Sequence, residues 1–176
     1  MMAIIEAIET VYLELDTASV TFDSLSGYEH LQIRVSGRHN NAGGGGSSIY
    51  IRFNGDTGSN YSTQSMQGYS GTNKNSDFYA NQAFVYAGGR ISGPLTPDAE
   101  NYGASIIDIP DYANANKNTA LKQMSGLPLD YSSGSYIWFG GSVWDNTAAL
   151  TSILLYPPSG SFRRGTQISL YGIKSS

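Results

Sequence analysis

Apolar and polar side chains alternate with a period of two along most of this chain, the repeat that puts successive residues on opposite faces of an extended backbone. Val11, Leu13 and Leu15 fall on one side of such a strand, with Tyr12, Glu14 and Asp16 on the other. Val20 and Phe22 alternate with Thr21 and Asp23, and Leu31, Ile33 and Val35 with Gln32, Arg34 and Ser36. The pattern returns in Ile49–Phe53, Ile107–Ile109, Ala120–Met124, Tyr136–Val143, Leu150–Tyr156 and Gln167–Ile173. That makes about nine strand candidates. Helix-like spacing occurs only at Ile4–Glu9 and at Thr96–Asn101, a short turn after Pro97. The prolines sit at the edges or ends of strand runs, where a missing N–H is tolerated. The pattern predicts an all-β fold, a jelly-roll-like antiparallel β-sandwich of about 8–10 strands, over an open sheet covered by helices.

Two stretches interrupt the rhythm. Asn40–Ser48 carries four consecutive glycines between two strand runs and reads as a flexible hairpin loop. A phosphate cradle would need a helix to follow, and a strand follows instead. Residues 55–103 are long, polar and rich in Gly, Asn, Ser and Tyr. A structureless segment of that length does not suit a compact domain. Short strands are therefore expected near Tyr61–Tyr69 and Ala83–Tyr86, with the remainder forming long loops over one end of the sandwich. No repeat or linker divides the chain, so 1–176 reads as one domain, its residues 1–18 an N-terminal strand or arm available for inter-subunit contact.

Composition narrows the function classes. The 176 residues are 40% apolar but only 14% charged, and 13 Tyr, 6 Phe and 2 Trp argue against disorder. Net charge is −4, with no basic face to neutralise phosphates, so a nucleic-acid partner is not expected. No apolar run is long enough to cross a bilayer as a helix, and no membrane partner is expected. Met1–Thr10 lacks a basic leader, and Glu6 and Glu9 interrupt its apolar residues, so a signal peptide is not expected there. The chain has no Cys, which removes disulfides and thiolate metal sites. Charge is unevenly placed. Residues 1–29 hold Glu6, Glu9, Glu14, Asp16, Asp23 and Glu29 without a Lys or Arg, while the C-terminal third holds Lys117, Lys122, Arg163, Arg164 and Lys174. Solvated edges account for this, and head-to-tail or docking complementarity is the sharper reading.

Chemistry-bearing clusters are sparse. His30 and His39 flank one strand without a second ligand at metal spacing, so a solvent-side strand residue and a loop residue are expected. Asp108 with Asp111, and Asp98 with Glu100, are carboxylate pairs, but a glycosidase needs them opposed across a cleft. Turn capping is the simpler role. Asn54–Asn60 alternates Asn and Asp oxygens with glycine but lacks the spacing and closing Glu of a calcium loop, and an Asx-rich turn is expected. Neither catalytic, cofactor nor metal residues are assigned, and the chain is not read as an enzyme. Candidate contact residues are Glu9, Tyr12 and Glu14 on the N-terminal strand, Asn54, Asp56, Asn60 and Tyr61 on the polar turn, the aromatics Trp138 and Trp144, and the pair Arg163 and Arg164. The glycine loop 40–48 is a further candidate surface.

The order of several segments resembles a group of tailed-bacteriophage structural proteins. They include Ile8–Val11, Val20–Leu25, Tyr28–Arg34, Ile51–Tyr61, Ile107–Tyr112, Trp144, Ala149–Ile153, Gly160–Phe162 and Gly165–Lys174, and they span nearly the whole chain. Residues 68–103 show the least similarity. The resemblance implies a jelly-roll module on a virion, made in the bacterial cytoplasm and placed on the capsid surface. There it would act as a cement or decoration protein binding the phage major capsid protein shell, and itself as a homotrimer. Its alternative is a carbohydrate- or receptor-binding module of a tail fibre or baseplate, with a glycan as ligand and Trp138, Trp144 and the loop tyrosines as the contact aromatics.

Overall fold

The computed structural model describes residues 3–41, 46–69, 73–87, 91–93, 101–127 and 135–175. Within them the chain is an all-β, jelly-roll-like sandwich of two antiparallel sheets. In chain order the strands are β1 (Ala3–Tyr12), β2 (Val20–Asp23), β3 (His30–Gly37), β4 (Gly46–Ser47), β5 (Tyr50–Phe53), β6 (Tyr61–Tyr69) and β7 (Asn73–Gln82). They continue as β8 (Val85–Tyr86), β9 (Ile91–Ser92), β10 (Gly103–Ile109), β11 (Thr119–Leu127), β12 (Tyr136–Trp144), β13 (Ser152–Tyr156) and β14 (Gln167–Ser175). The large sheet runs β1-β14-β3-β10-β11-β12-β6-β7, the small one β2-β13-β5-β8, and β4 pairs with β9.

The expected alternation sets the faces. On β3, Leu31, Ile33 and Val35 are buried while Arg34 and Ser36 are exposed. Ile107 and Ile109 on β10 and Ile168 and Leu170 on β14 join them, and the small sheet adds Phe22, Ile51, Phe53, Ile153 and Leu155. These side chains form one core between the sheets, each removed from water at a gain of about 25 cal/mol per Å² of apolar surface.

Five expectations need correction. Ile4–Glu9 is not helical. Its residues belong to β1, paired with β14 from Ala3↔Ser175 to Tyr12↔Gln167 with a bulge at Ile8. The spacing of Ile4, Ile5 and Ile8 suits either structure, and the ladder to β14 decides. β1 also ends at Tyr12, so Leu15 lies beyond it and is exposed rather than inward. Asn73–Gln82, read as loop, is a ten-residue edge strand. His39 is fully buried rather than in an open loop, bridged to Phe162 across the end of the sandwich. The described residues hold fourteen strands where eight to ten were expected: β4 and β9 are two-residue pairings below the reach of a periodicity argument, β7 was read as loop, and β8 falls in the Ala83–Tyr86 segment where a short strand was expected. The Thr96–Asn101 turn and the glycines of the 40–48 loop lie mostly outside the described residues, as does much of the long-loop region.

Candidate contact surface on the outer face of the large sheet

The register of the large sheet fixes what each face carries. Directly opposed residues share a face. Arg34↔Ile106, Ile106↔Met124, Met124↔Phe139, Phe139↔Met66 and Met66↔Ser76 therefore form one row across six strands, on the side away from the small sheet. A second row runs Ala104, Gly126, Ile137, Gly68 and Lys74. A third runs Tyr171, Gln32, Asp108, Lys122, Gly141, Gln64 and Phe78.

Five large apolar side chains stand in water on this face. Exposure ranges from 46% for Met124 to 66% for Phe78, with Phe139, Ile137 and Met66 between. Ile137 has glycine on both sides, at Gly68 and Gly126. A β-carbon at Gly68 would meet no atom within 4 Å, and one at Gly126 only a carbonyl oxygen at 4.0 Å. These residues thus leave hollows on either side of the Ile137–Phe139 ridge. One of about 600 Å³ is lined by Met66, Gly68, Lys74 and Ser76, and one of about 540 Å³ by Arg34, Ala104, Ile106, Met124 and Gly126. Ile137 and Phe139 line both. Methionine at Met66 and Met124 adds side chains that repack to fit what lies on them.

Polar groups border the apolar area. The Arg34 guanidinium lies 4.7 Å from the Tyr171 ring centre, and its Nε donates to Gln32 Oε1 at 2.8 Å. Gln32 Nε2 donates to Asp108 Oδ1 at 2.8 Å, and Lys122 Nζ sits 3.5 Å from the Asp108 carboxylate. Lys74 closes the far side, on edge strand β7. The face is thus apolar in the middle and net basic at its ends. It holds no nucleophile beside a base. Among the described residues no group of three or more His, Asp or Glu is arranged to hold a metal. What the arrangement can do is exclude water against another protein surface.

The sequence-predicted contact residues are not brought together. Glu9, Tyr12 and Glu14 are exposed along the β1 edge and the turn after it. Arg163 and Arg164 are exposed on a turn whose backbone is tied inward: Arg163 N–H donates to Arg38 O at 2.7 Å and Arg164 N–H to Asp16 Oδ1 at 2.9 Å. That bond, followed by one from the Asn40 side chain, holds the Asp16 carboxyl below its ordinary range.

The polar turn is tied down by hydrogen bonds within the chain. Asn54 (φ 51°) and Gly55 (φ 69°) are both left-handed, the backbone of a tight Asn-Gly turn, and Asp56 N–H donates to Phe53 O at 2.8 Å. Asn54 Oδ1 accepts from Thr151 N–H at 2.8 Å and Ser152 N–H at 3.1 Å, while its Nδ2 donates to Ala149 O at 2.9 Å. The Asp56 carboxylate accepts from Gly58 N–H at 2.8 Å, Asn60 Nδ2 at 2.9 Å and Trp144 Nε1 at 2.7 Å. Asn60 and then Trp144 hold its pKa down. These donors occupy the oxygens a calcium ion would need.

Tyr61, Trp138 and Trp144 are corrections as surface contacts: all three are buried. Trp144 stacks on Tyr61 with ring centres 6.3 Å apart and planes 15° from parallel. Burial raises the Tyr61 phenol to about 12. Trp138 lies inward over Gly140, where a β-carbon would sit 2.1 Å from its ring. His30 Nδ1 accepts from Asp111 N–H at 2.9 Å, and Asp111 pairs with Lys117 at 2.6 Å. Asp108 and Asp111 are therefore engaged separately. Asp98 and Glu100 lie outside the described residues. Sequence reasoning missed Met66, Phe78, Met124, Ile137 and Phe139. The signal for two of them was present in β12, where Ile137 and Phe139 occupy the phase opposite to Trp138, Gly140 and Ser142.

No protein-family model and no curated protein matches the chain. Among solved structures, the chain is similar to the alginate lyase Aly36B at 9% identity and a TM-score of 0.39, covering 94% of this chain and 79% of that one. A scytalido-glutamic peptidase bound to a transition state analog inhibitor matches at 11% identity and 0.28, over 91% of this chain and 66% of that one. The exoplasmic/lumenal domain of VIP36, in a Ca2+/Man3GlcNAc-bound form, matches at 8% identity and 0.30, over 99% and 85%.

Proposed function

We propose that this chain is a non-enzymatic structural protein of a tailed-phage particle, a cement or decoration protein that attaches to the assembled capsid shell and stabilises it. The observation that carries the reading is the row Met124–Phe139–Met66, exposed side by side on the sheet with half-buried Ile106 beside it. An exposed apolar face rimmed by polar groups is a mark of a contact surface, and its breadth supports a protein partner. The segment-by-segment resemblance to phage structural proteins supports the choice of assembly. Binding only to the assembled shell stabilises it by mass action, without catalysis. The glycan-binding alternative loses Trp138 and Trp144, which are buried, and keeps only the loop tyrosines among its contact aromatics.

The test is co-sedimentation of the purified chain with assembled shells of its own phage that lack it. Saturable binding at a fixed number of copies per shell, with greater resistance of the shell to heat, is the expected result. Absence of saturable binding, or turnover of a polysaccharide by the isolated chain, overturns the reading.

A further inference from the structure

Asn54-Gly55 is the only asparagine–glycine pair in the sequence. Such a pair can modify itself, because glycine has no side chain to shield its backbone nitrogen. The Gly55 nitrogen gives up its proton to solvent and attacks Asn54 Cγ. A C–N bond forms, the Cγ–Nδ2 bond breaks, and Nδ2 takes a proton and leaves as ammonia. Water then opens the succinimide at either carbonyl, leaving aspartate or isoaspartate. No oxidant, reductant or cofactor is needed.

The fold closes this route in two ways. The first is the backbone. Asn54 has φ 51°, in the left-handed region, where ψ is about +47°. At that ψ the next nitrogen stands nearly trans to Cβ across the Cα–C bond, whereas ring closure needs the two eclipsed. The second is the side chain. Its Oδ1 accepts from Thr151 N–H at 2.8 Å, Thr151 Oγ1 at 3.1 Å and Ser152 N–H at 3.1 Å, and its Nδ2 donates to Ala149 O at 2.9 Å. Asn54 N–H also donates to Ser152 O at 3.1 Å. Turning ψ to the reactive value would carry Asp56 with it, away from Phe53 O and from the indole N–H of buried Trp144. The reactive geometry therefore requires the whole turn to open.

The product does not fit the seat. A carboxylate at position 54 puts an oxygen where Nδ2 was, so two acceptors face each other at Ala149 O with no donor between them. Isoaspartate also adds a methylene to the main chain between β5 and β6.

We propose that Asn54 is a conformation-gated deamidation site. The closed turn holds it unreactive, each opening of the turn after β5 exposes it to cyclisation, and the product keeps the turn from closing as before. The modification thus records that a molecule has opened at this end of the sandwich.

The experiment incubates the full chain at mildly alkaline pH, folded in buffer and unfolded in guanidinium. Mass spectrometry then follows the tryptic peptide Phe53–Lys74, with fragmentation assigning the change to Asn54. Conversion should be at least about tenfold slower in the folded chain. Asp56→Ala cuts the tie to Trp144 and should move the folded rate toward the unfolded one, while Asn75-Ser76 on the exposed edge strand β7 keeps its own rate. Should that variant misfold, Thr151→Val removes one donor to Asn54 Oδ1 and should act in the same direction. Asn54→Asp should lower the urea midpoint. Equal rates in the folded and unfolded chain overturn the proposal. A folded rate unmoved by the variants, or raised equally at Asn75, overturns the gating by this turn. An Asn54→Asp midpoint equal to wild type overturns the lasting effect of the product.

Discussion

Strands β14, β3 and β10 and strands β11, β12 and β6 belong to one sheet, yet they sort their residues in opposite ways. In the first group the large aliphatic residues Leu170, Ile33 and Ile107 point between the sheets, while Ser169, Arg34 and Asp108 point away. In the second, Gln123, Ser125, Ser142 and Ser65 point between the sheets, and Met124, Ile137, Phe139 and Met66 point to water. A slip of one residue would restore the usual sorting in the second group. Its ends forbid that slip. Leu121 and Leu127 on β11, Trp144 on β12 and Tyr61 on β6 share the inward phase and are buried, so the slip would expose them. The first group is a core that folds the chain. The second carries large apolar residues on its outside, which on the function proposed above a partner surface covers.

The sharpest way to break this comparison is to cut the same kind of residue from each group. Ile33→Ala or Ile107→Ala, at fully buried positions, should lower unfolding stability by about 2–5 kcal/mol. Phe139→Ser or Met66→Ser, measured on the dilute monomer, should stay within about 0.5 kcal/mol of wild type. Urea midpoints at constant m-value give both numbers. If Phe139→Ser costs as much as Ile33→Ala, the outer row belongs to the chain's own core and the contrast fails.

The sheet was readable from sequence where alternation met strong strand formers. β6 occupies Tyr61–Tyr69 as expected, β3, β10, β11, β12 and β14 each contain their predicted runs, and β5 and β13 begin one and two residues inside theirs. β7 was unreadable because Asn-Lys-Asn-Ser-Asp-Phe-Tyr-Ala-Asn-Gln has little strand propensity. It is a strand because β6 offers it a ladder from Tyr61↔Gln82 to Tyr69↔Asn73. The Asn54–Asn60 turn was legible as Asx chemistry, but its role as the seat of Trp144 depends on an aspartate and an indole 88 residues apart. The outer face was hidden for a simpler reason. Period two says that two faces exist and not which one is covered, and in β12 both phases start with large residues, Tyr136 and Trp138 against Ile137 and Phe139.

The bridge between His39 and Phe162 offers a second contrast, this time with pH. His39 is fully buried, its Nδ1 accepts from Asn41 N–H at 3.1 Å, and its pKa is lowered, first by burial and then by the charge of Arg38. The unfolded chain therefore binds the proton more readily than the folded one. Stability is full above the unfolded value of 6.5 and falls as pH drops below it toward the folded value. Acid unfolding followed by tryptophan fluorescence should show this limb, and His39→Asn, which keeps an acceptor for Asn41, should flatten it between pH 6.5 and 5. Phe139→Ser should leave the limb in place, because it lies on the other face and the other half of the sheet. An unchanged limb in His39→Asn would show that His39 is not its source; the depressed carboxyls Asp16 and Asp56 lose their contribution only as pH falls below the unfolded value of 3.8.

The smallest effects belong to the buried polar patch that accompanies the inversion. Ser142 Oγ lies 2.8 Å from Thr63 Oγ1 and accepts from Gln123 Nε2 at 2.7 Å, so these three hold one another. The hydroxyls of Ser65, Ser105 and Ser125 and the Gln123 Oε1 are buried without a hydrogen-bond partner among the described residues. Removing a bonded hydroxyl strands its partners, whereas removing an unbonded one strands nothing. Ser142→Ala should therefore cost about 1–2 kcal/mol, and Ser125→Ala should be neutral or stabilise by up to about 1 kcal/mol. Thermal melts of the two variants side by side decide it. Equal losses would mean that Ser125 is as well satisfied as Ser142, and the inward polarity of β11 and β12 would then be a hydrogen-bonded structural device. A gain at Ser125 alone means that these strands hold their inward polar residues at a cost in stability, the expected signature of a register fixed by Trp144, Tyr61 and the outer face.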